Sequence, residues 1–171
     1  FTKEEIALLL ANAKGFWNIA VRLSQATGMR LGDICTLDWA SVGTEGPVKW
    51  MTMKTAALVE AVPPPELLTE IRALYPTGSN YCFPKYAHRY LCLPMRTEII
   101  REFRVLCRKL KIEGKSFHCL RHGFAQDHKN EQKRELLDRL IEELALDRTK
   151  LAMGHSSSET TKGYLREQPA A

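Results

Sequence analysis

The sequence predicts a mainly helical fold with one small antiparallel β-sheet, an α+β class, on three observations. Apolar residues at helical spacing, bounded by recognisable caps, account for most of the chain. One pair of β-prone runs, Val48 to Met53 and Leu58 to Val62, is separated by Lys54 to Ala57 and reads as a hairpin. No internal repeat or low-complexity linker interrupts these signals, so residues 1–171 are expected to form a single domain. With 44% apolar and 26% charged residues, the chain has the composition of a globular domain long enough to bury a proper core.

Each element has a local cause. Thr2 and Glu5 have the Thr-x-x-Glu form of a capping box, opening a helix through Ile6, Leu9 and Leu10. A second helix from about Phe16 aligns Trp17, Val21 and Ser24, and should stop at Gly28, which tolerates a left-handed cap. Arg30 then lies just past a helix end. Leu31 to Trp39 reads as a further short helix with Ile34 and Leu37 facing inward. Lys54 falls at the hairpin turn. Pro63, Pro64 and Pro65 end the second strand, and Glu66 to Leu74 forms a helix with proline acceptable in its first turn. Tyr81 to Phe83 is expected as a short third strand.

From Thr97 to Leu110, Ile99, Ile100, Phe103, Leu106, Cys107 and Leu110 follow helical spacing. Arg101, Arg104, Arg108 and Lys111 line the opposite face as a basic stripe. Ser116 is expected to cap a helix carrying His118, Arg121 and Phe124. Leu136, Leu137, Leu140, Ile141 and Leu144 mark another amphipathic helix, and Asp147 to Met153 a short one closed by Gly154. Ser156 and Glu159 form a second capping box before the segment bearing Tyr164.

Charge narrows the functional classes. The formal net charge is +5, and the pI of about 9.0 favours a polyanionic partner. Between Lys85 and Lys115 nine Lys or Arg face three Glu, so the excess is concentrated in one stretch. The five cysteines, Cys35, Cys82, Cys92, Cys107 and Cys119, are odd in number and scattered in apolar runs, as reduced thiols of a cytosolic protein are. No apolar run approaches the roughly 20 residues a membrane span needs, and the N-terminus lacks a signal-peptide pattern. A start at Phe1 without methionine suggests an excised fragment.

Gly28-Met29-Arg30, His118-Cys119-Leu120-Arg121-His122 and Gly154-His155 with Tyr164 together offer two arginines, histidines and a tyrosine, a set suited to covalent chemistry on a phosphodiester. These blocks, with Leu31-Gly32-Asp33, Leu37, Trp39 and the hairpin lysine of Met53-Lys54-Thr55, occur in an order that resembles the catalytic domain of the tyrosine recombinases, or phage-type integrases. The resemblance spans essentially the whole chain and implies the fold of that catalytic domain.

It also implies a site-specific DNA recombinase that breaks and rejoins strands through a 3′-phosphotyrosine. Arg30 and Arg121 present guanidinium forks suited to two nonbridging phosphate oxygens. Tyr164 would attack phosphorus, splitting strand exchange into two transesterifications. The resemblance assigns Lys54 as general acid to the departing 5′ oxygen, His118 as acceptor of the tyrosine proton and His155 as a hydrogen-bond partner of a nonbridging oxygen. Asp33 and His122 occupy supporting positions. Two preorganised arginines can stabilise the developing charge, so no metal and no other cofactor is expected.

The expected partners are double-stranded DNA, gripped mainly through phosphates by Arg101, Arg104, Arg108 and Lys111, and further recombinase protomers in a tetramer of the full-length protein. No membrane partner is expected, and the location is cytoplasmic and DNA-associated. Cys119 and Gly123 depart from the residues common in the His-x-Leu-Arg-His block, without removing a group the chemistry needs. The stretch Lys129 to Asp147 makes the chain longer than the compact family form between His122 and His155. Seven residues follow Tyr164 and no N-terminal clamp precedes Phe1, so this fragment alone is expected to be monomeric and to bind DNA weakly.

Three rivals remain. A type IB topoisomerase shares the tyrosine and basic residues but reseals the same strand. His118 three positions before Arg121 favours the recombinase. A DNA-binding module without catalysis would not need every one of these side chains. A zinc hydrolase would place a glutamate between His118 and His122, which is absent, and Cys82, His88 and Cys92 lack a paired half-site.

Overall fold

The computed structural model describes residues 1–42, 47–75 and 78–154. Helix α1 (Lys3–Asn12) begins at the predicted capping box: the Glu5 N–H donates to Thr2 Oγ1 at 3.2 Å and the Thr2 N–H to Glu5 Oε2 at 2.7 Å. Helix α2 (Phe16–Thr27) ends at Gly28 with φ +67°, as the glycine signal predicts. Asn18 joins the two, its amide donating to the carbonyls of Leu10 and Ala13 that the end of α1 leaves unpaired.

Helix α3 (Leu31–Cys35) is a short element whose N-cap is Arg30, and the sequence expectation of a helix reaching Trp39 is corrected to this single turn and a half. Strands β1 (Val48–Met51) and β2 (Leu58–Ala61) form the predicted hairpin, paired Val48↔Ala61 through Met51↔Leu58. Strand β1 is shorter than predicted because Thr52 and Met53 enter the turn, and β2 stops one residue early, at Ala61, ahead of the proline run. Val48 and Trp50 are buried while Lys49 and Met51 face out, the period of a one-sided sheet. Lys49 pairs across the strands with Glu60 at 3.1 Å.

Helix α4 (Pro65–Leu74) follows the proline run and joins α2 through an Arg22–Glu70 ion pair. The expected third strand is reduced to one bridge between Asp38 and Tyr81. Residue 84 is a proline at a helix's first position, which opens an unpredicted helix α5 (Pro84–Leu91) instead. Cys92 separates it from α6 (Leu93–Lys109), which starts four residues before the predicted Thr97. Arg89 locks the pair, donating to Glu102 at 2.6 Å.

Helix α7 (His118–Ala152) replaces three separately predicted helices with one continuous helix. Gly123 costs it about 1 kcal/mol relative to alanine, and no proline supplies a break. Ser116 also acts differently from the expected hydroxyl cap: its Oγ lies 3.6 Å from Cys119 Sγ, and its N–H donates to that sulfur at 3.4 Å.

Packing divides the chain into two units, Phe1–Gln126 and from Asp127 onward. The first holds the core. Leu9, Ile19, Leu23, Met29, Ile34, Ile71, Phe83, Ile99 and Phe103 are essentially sealed from solvent. Aromatic residues fill its centre, Phe16 stacking on Tyr86 with centroids 3.5 Å apart and Phe103 meeting Phe117 edge-on at 5.1 Å. In the second unit, Leu136, Leu137, Leu140, Ile141 and Leu144 are all exposed along α7. Among the described residues no helix is long and apolar enough to cross a membrane.

Candidate active site

The connection between α2 and α3 is built to hold Arg30. Thr27 Oγ1 donates to the Leu23 carbonyl at 2.6 Å and accepts from the Met29 N–H at 3.2 Å. Ser24 Oγ donates to the Met29 carbonyl at 3.1 Å. These buried hydroxyls satisfy a backbone that has just left its helix. Gly28 is required here twice over, by its positive φ and because an added Cβ would lie 2.5 Å from the Phe124 ring.

Arg121, on the first turns of α7, donates from Nη1 to the Gly28 carbonyl oxygen. This contact brings Arg121 to the peptide two residues from Arg30. Burial chiefly, then the positive charge of Arg30, pulls the Arg121 pKa down, while Asp33 acts in the opposite direction. His118 lies one turn earlier on α7. Its pKa is also lowered, first by loss of solvent and then by His122, Arg121, Arg30 and Lys54. The four charged or chargeable neighbours of His118 therefore share one electrostatic environment. His122 itself is exposed and meets His118 edge-on, ring centroids 4.6 Å apart.

Lys54 sits at the exposed hairpin turn. The turn is fixed beneath it: Thr52 Oγ1 lies 2.7 Å from Thr55 Oγ1 and accepts from the Ala57 N–H at 3.1 Å. Asp33, 4% exposed, reaches across from α3, its Oδ1 accepting from the Met53 N–H at 2.9 Å. Its Oδ2 stands 4.0 Å from Arg30 Nη1, within ion-pair range but beyond a hydrogen bond. One carboxylate thus links the arginine's helix to the residue preceding Lys54.

Arg30, His118 and Arg121 line a cavity of about 280 Å³ together with Tyr90 and Arg104. Met29, Leu31, Ile100, Phe103 and Phe117 form its apolar wall. Fixed cations against an apolar wall suit an anionic ligand with a nonpolar body. Of the predicted basic stripe, Arg101, Arg104 and Arg108 are exposed on α6, and Arg104 alone of them reaches this cavity. Lys111 lies past the end of α6, at φ +57°, rather than on the helix face. His155 and Tyr164 lie outside the described residues. No group of three or more His, Cys, Asp or Glu side chains that could hold a metal is gathered among the described residues.

A family profile described as the phage integrase family matches residues 1–170. The chain belongs to the phage integrase family. This is the family that the four sequence blocks resemble, found over essentially the whole length. Among solved structures, the crystal structure of XerA recombinase shares the tyrosine recombinase fold with this integrase family member. The two are 20% identical with a TM-score of 0.55, over 100% of this chain and 64% of that one. The chain thus spans a little under two thirds of that recombinase. No curated protein matches the integrase sequence significantly.

Two features of this candidate site are not legible in the sequence. Tyr90 enters the cavity from α5, a helix that periodicity does not reveal, although the Phe83-Pro84 start is a usable signal. The Asp33–Met53 contact is made by a backbone N–H, which no side-chain motif encodes.

Proposed function

We propose that this chain is the catalytic domain, over residues 1–171, of a site-specific DNA recombinase that cleaves and rejoins strands without a metal ion. The carrying observation is the hydrogen bond from Arg121 to the Gly28 carbonyl, which gathers Arg121 with Arg30 and His118 at one cavity. Two guanidinium groups positioned in this way supply the charge that a pentacovalent phosphorane develops. Each preorganised donor of this kind is worth about 3 to 4 kcal/mol of transition-state stabilisation.

In this reading Tyr164 Oη attacks phosphorus as the bond to the 5′ oxygen breaks, leaving a 3′-phosphotyrosine and a free 5′ hydroxyl. His118 takes the phenolic proton, and its lowered pKa keeps it neutral and able to accept at physiological pH. Lys54 delivers a proton to the departing oxygen, and the Asp33 contact beneath the hairpin tip supports its placement. His155 donates to a nonbridging oxygen. A phenol of pKa about 10 leaves more readily than an alkoxide, so attack by a 5′ hydroxyl reverses the step and rejoins the strand. Arg101, Arg104, Arg108 and Lys111 supply phosphate contacts to double-stranded DNA, and other protomers complete a tetramer in the full-length protein. The location that follows is the DNA of the cytoplasm.

The test is covalent capture in EDTA on a pool of nicked duplexes randomised around the nick, which lets the cleaved strand's short end diffuse away. The wild-type protein should accumulate a protein–DNA adduct and Tyr164→Phe should form none. Absence of adduct with the wild type, or an equal amount with Tyr164→Phe, would overturn the proposal.

A further inference from the structure

We infer that Tyr90 is a further substrate-binding residue, its hydroxyl donating to an oxygen of the phosphate that Arg30 and Arg121 face. The inference rests on the reading of this cavity as a phosphodiester site and adds a neutral donor to it.

Three observations carry it. First, two contacts hold the Tyr90 ring. The Arg96 guanidinium stacks over it at 4.6 Å from the centroid, and Arg96 Nε donates to the Tyr90 carbonyl at 2.9 Å. The phenol end also packs on Gly32, so closely that a Cβ there would meet Tyr90 Oη at 2.5 Å and its ring carbons at 2.7 and 2.8 Å. The missing side chain of Gly32 is therefore what admits the phenol beside α3.

Second, the hydroxyl makes no hydrogen bond to any described residue, yet it is not among the sealed, unpartnered polar atoms of this unit. The hydroxyl is thus open to solvent, and Tyr90 lines the cavity together with Arg30, His118 and Arg121. A side chain clamped this firmly, with its polar end left open, is arranged for a ligand rather than for the core. Third, burial raises the phenol's pKa above its ordinary value, so the group carries its proton at any physiological pH and can donate. An anionic oxygen is the acceptor that such a donor beside two guanidinium groups would meet.

Tyr90→Phe removes the oxygen and keeps the ring that fills the space over Gly32. Inorganic phosphate is the probe, titrated by calorimetry into the full chain, with Arg121→Ala as the control that abolishes the site. The wild type should bind phosphate, and Tyr90→Phe, with an unchanged melting temperature, should bind it about tenfold more weakly, the loss expected for one hydrogen bond to a charged acceptor. Equal affinity in Tyr90→Phe, or no phosphate binding by the wild type, would overturn the inference. The adduct assay reads separately: a wild type that binds phosphate but forms no adduct sinks the recombinase reading, whereas a wild type that forms adduct beside a Tyr90→Phe with unaltered phosphate affinity sinks the role of Tyr90 alone.

Discussion

Arg121 donates a hydrogen bond to the main-chain carbonyl of Gly28, a residue 93 positions earlier in the chain. The acceptor belongs to the peptide at the left-handed cap of α2, so a single contact fixes both the second arginine of the site and the loop that presents the first.

Arg121→Lys should therefore behave as a severe change despite its retained charge. An ammonium is a point donor and lacks the planar fork that can serve the Gly28 carbonyl and a phosphate oxygen together. Adduct formation in single turnover should fall by about a hundredfold or more, while the melting temperature changes little. A lysine variant within a few-fold of the wild type would remove the geometric argument.

Gly28→Ala should destabilise the first unit by about 2 to 4 kcal/mol, combining a strained positive φ with overpacking against a ring. The added methyl would stand 2.5 Å from Phe124. Urea denaturation reads this directly, and a variant as stable as the wild type would contradict the packing described for the cap.

Asp33→Ala removes the acceptor for the Met53 N–H and frees the hairpin tip from α3. The expected loss is about tenfold in the rate of adduct formation, from roughly one hydrogen bond, with DNA affinity nearly unchanged. Asp33→Asn keeps an oxygen for the same N–H and should be milder. Equal rates for the alanine variant and the wild type would show that the contact does not position Lys54.

The pH profile should carry an acid limb below the ordinary histidine range. His118 has its pKa lowered in the folded protein, chiefly by loss of solvent, so it stays neutral to lower pH than a free histidine. A proton acceptor of this kind loses activity only as pH falls through that lowered value. The stability linkage has the same sign: the unfolded chain binds the proton more readily, so the contribution of His118 is present above its unfolded pKa of about 6.5 and declines as pH falls. Cleavage rates from pH 5 to 8 should show the limb, and it should vanish with His118→Gln. A limb that persists in that variant would assign it to another group.

Thiol chemistry should separate the cysteines by environment. Burial pushes the Cys82 thiol up to about 12 and Cys107 to about 11, and Cys35 higher still. The Ser116 N–H, by donating to Cys119 Sγ, lowers the Cys119 pKa. Iodoacetamide at pH 8, followed by peptide mass mapping, should modify Cys119 well before these three. Cys35 labelling at the same rate would contradict its burial.

What the sequence discloses are the features whose causes are local. The Thr2 and Glu5 box, the glycine stop of α2, the proline start of α4 and the Lys54 hairpin each depend on neighbours within a few residues, and each is found. The continuity of α7 is hidden because Gly123 resembles a boundary, while a helix without proline can carry one glycine at modest cost. The Tyr81 strand fails because a strand needs a partner along its length, and Asp38 offers a single pairing. The gathering of Arg30 with Arg121 joins distant segments, so the residues are legible as a set of types while their contact is not. Lys111 illustrates the reverse error, an apparent helix face that continues past the helix's end.

The order of synthesis follows from the same contact. A ribosome must emit Arg121, well beyond the hairpin lysine, before Arg30 gains its companion, so a prematurely terminated chain ending before α7 presents Arg30 without Arg121. Under the proposed chemistry, a truncated product of this kind would lack one of its two arginines and could not cleave a strand.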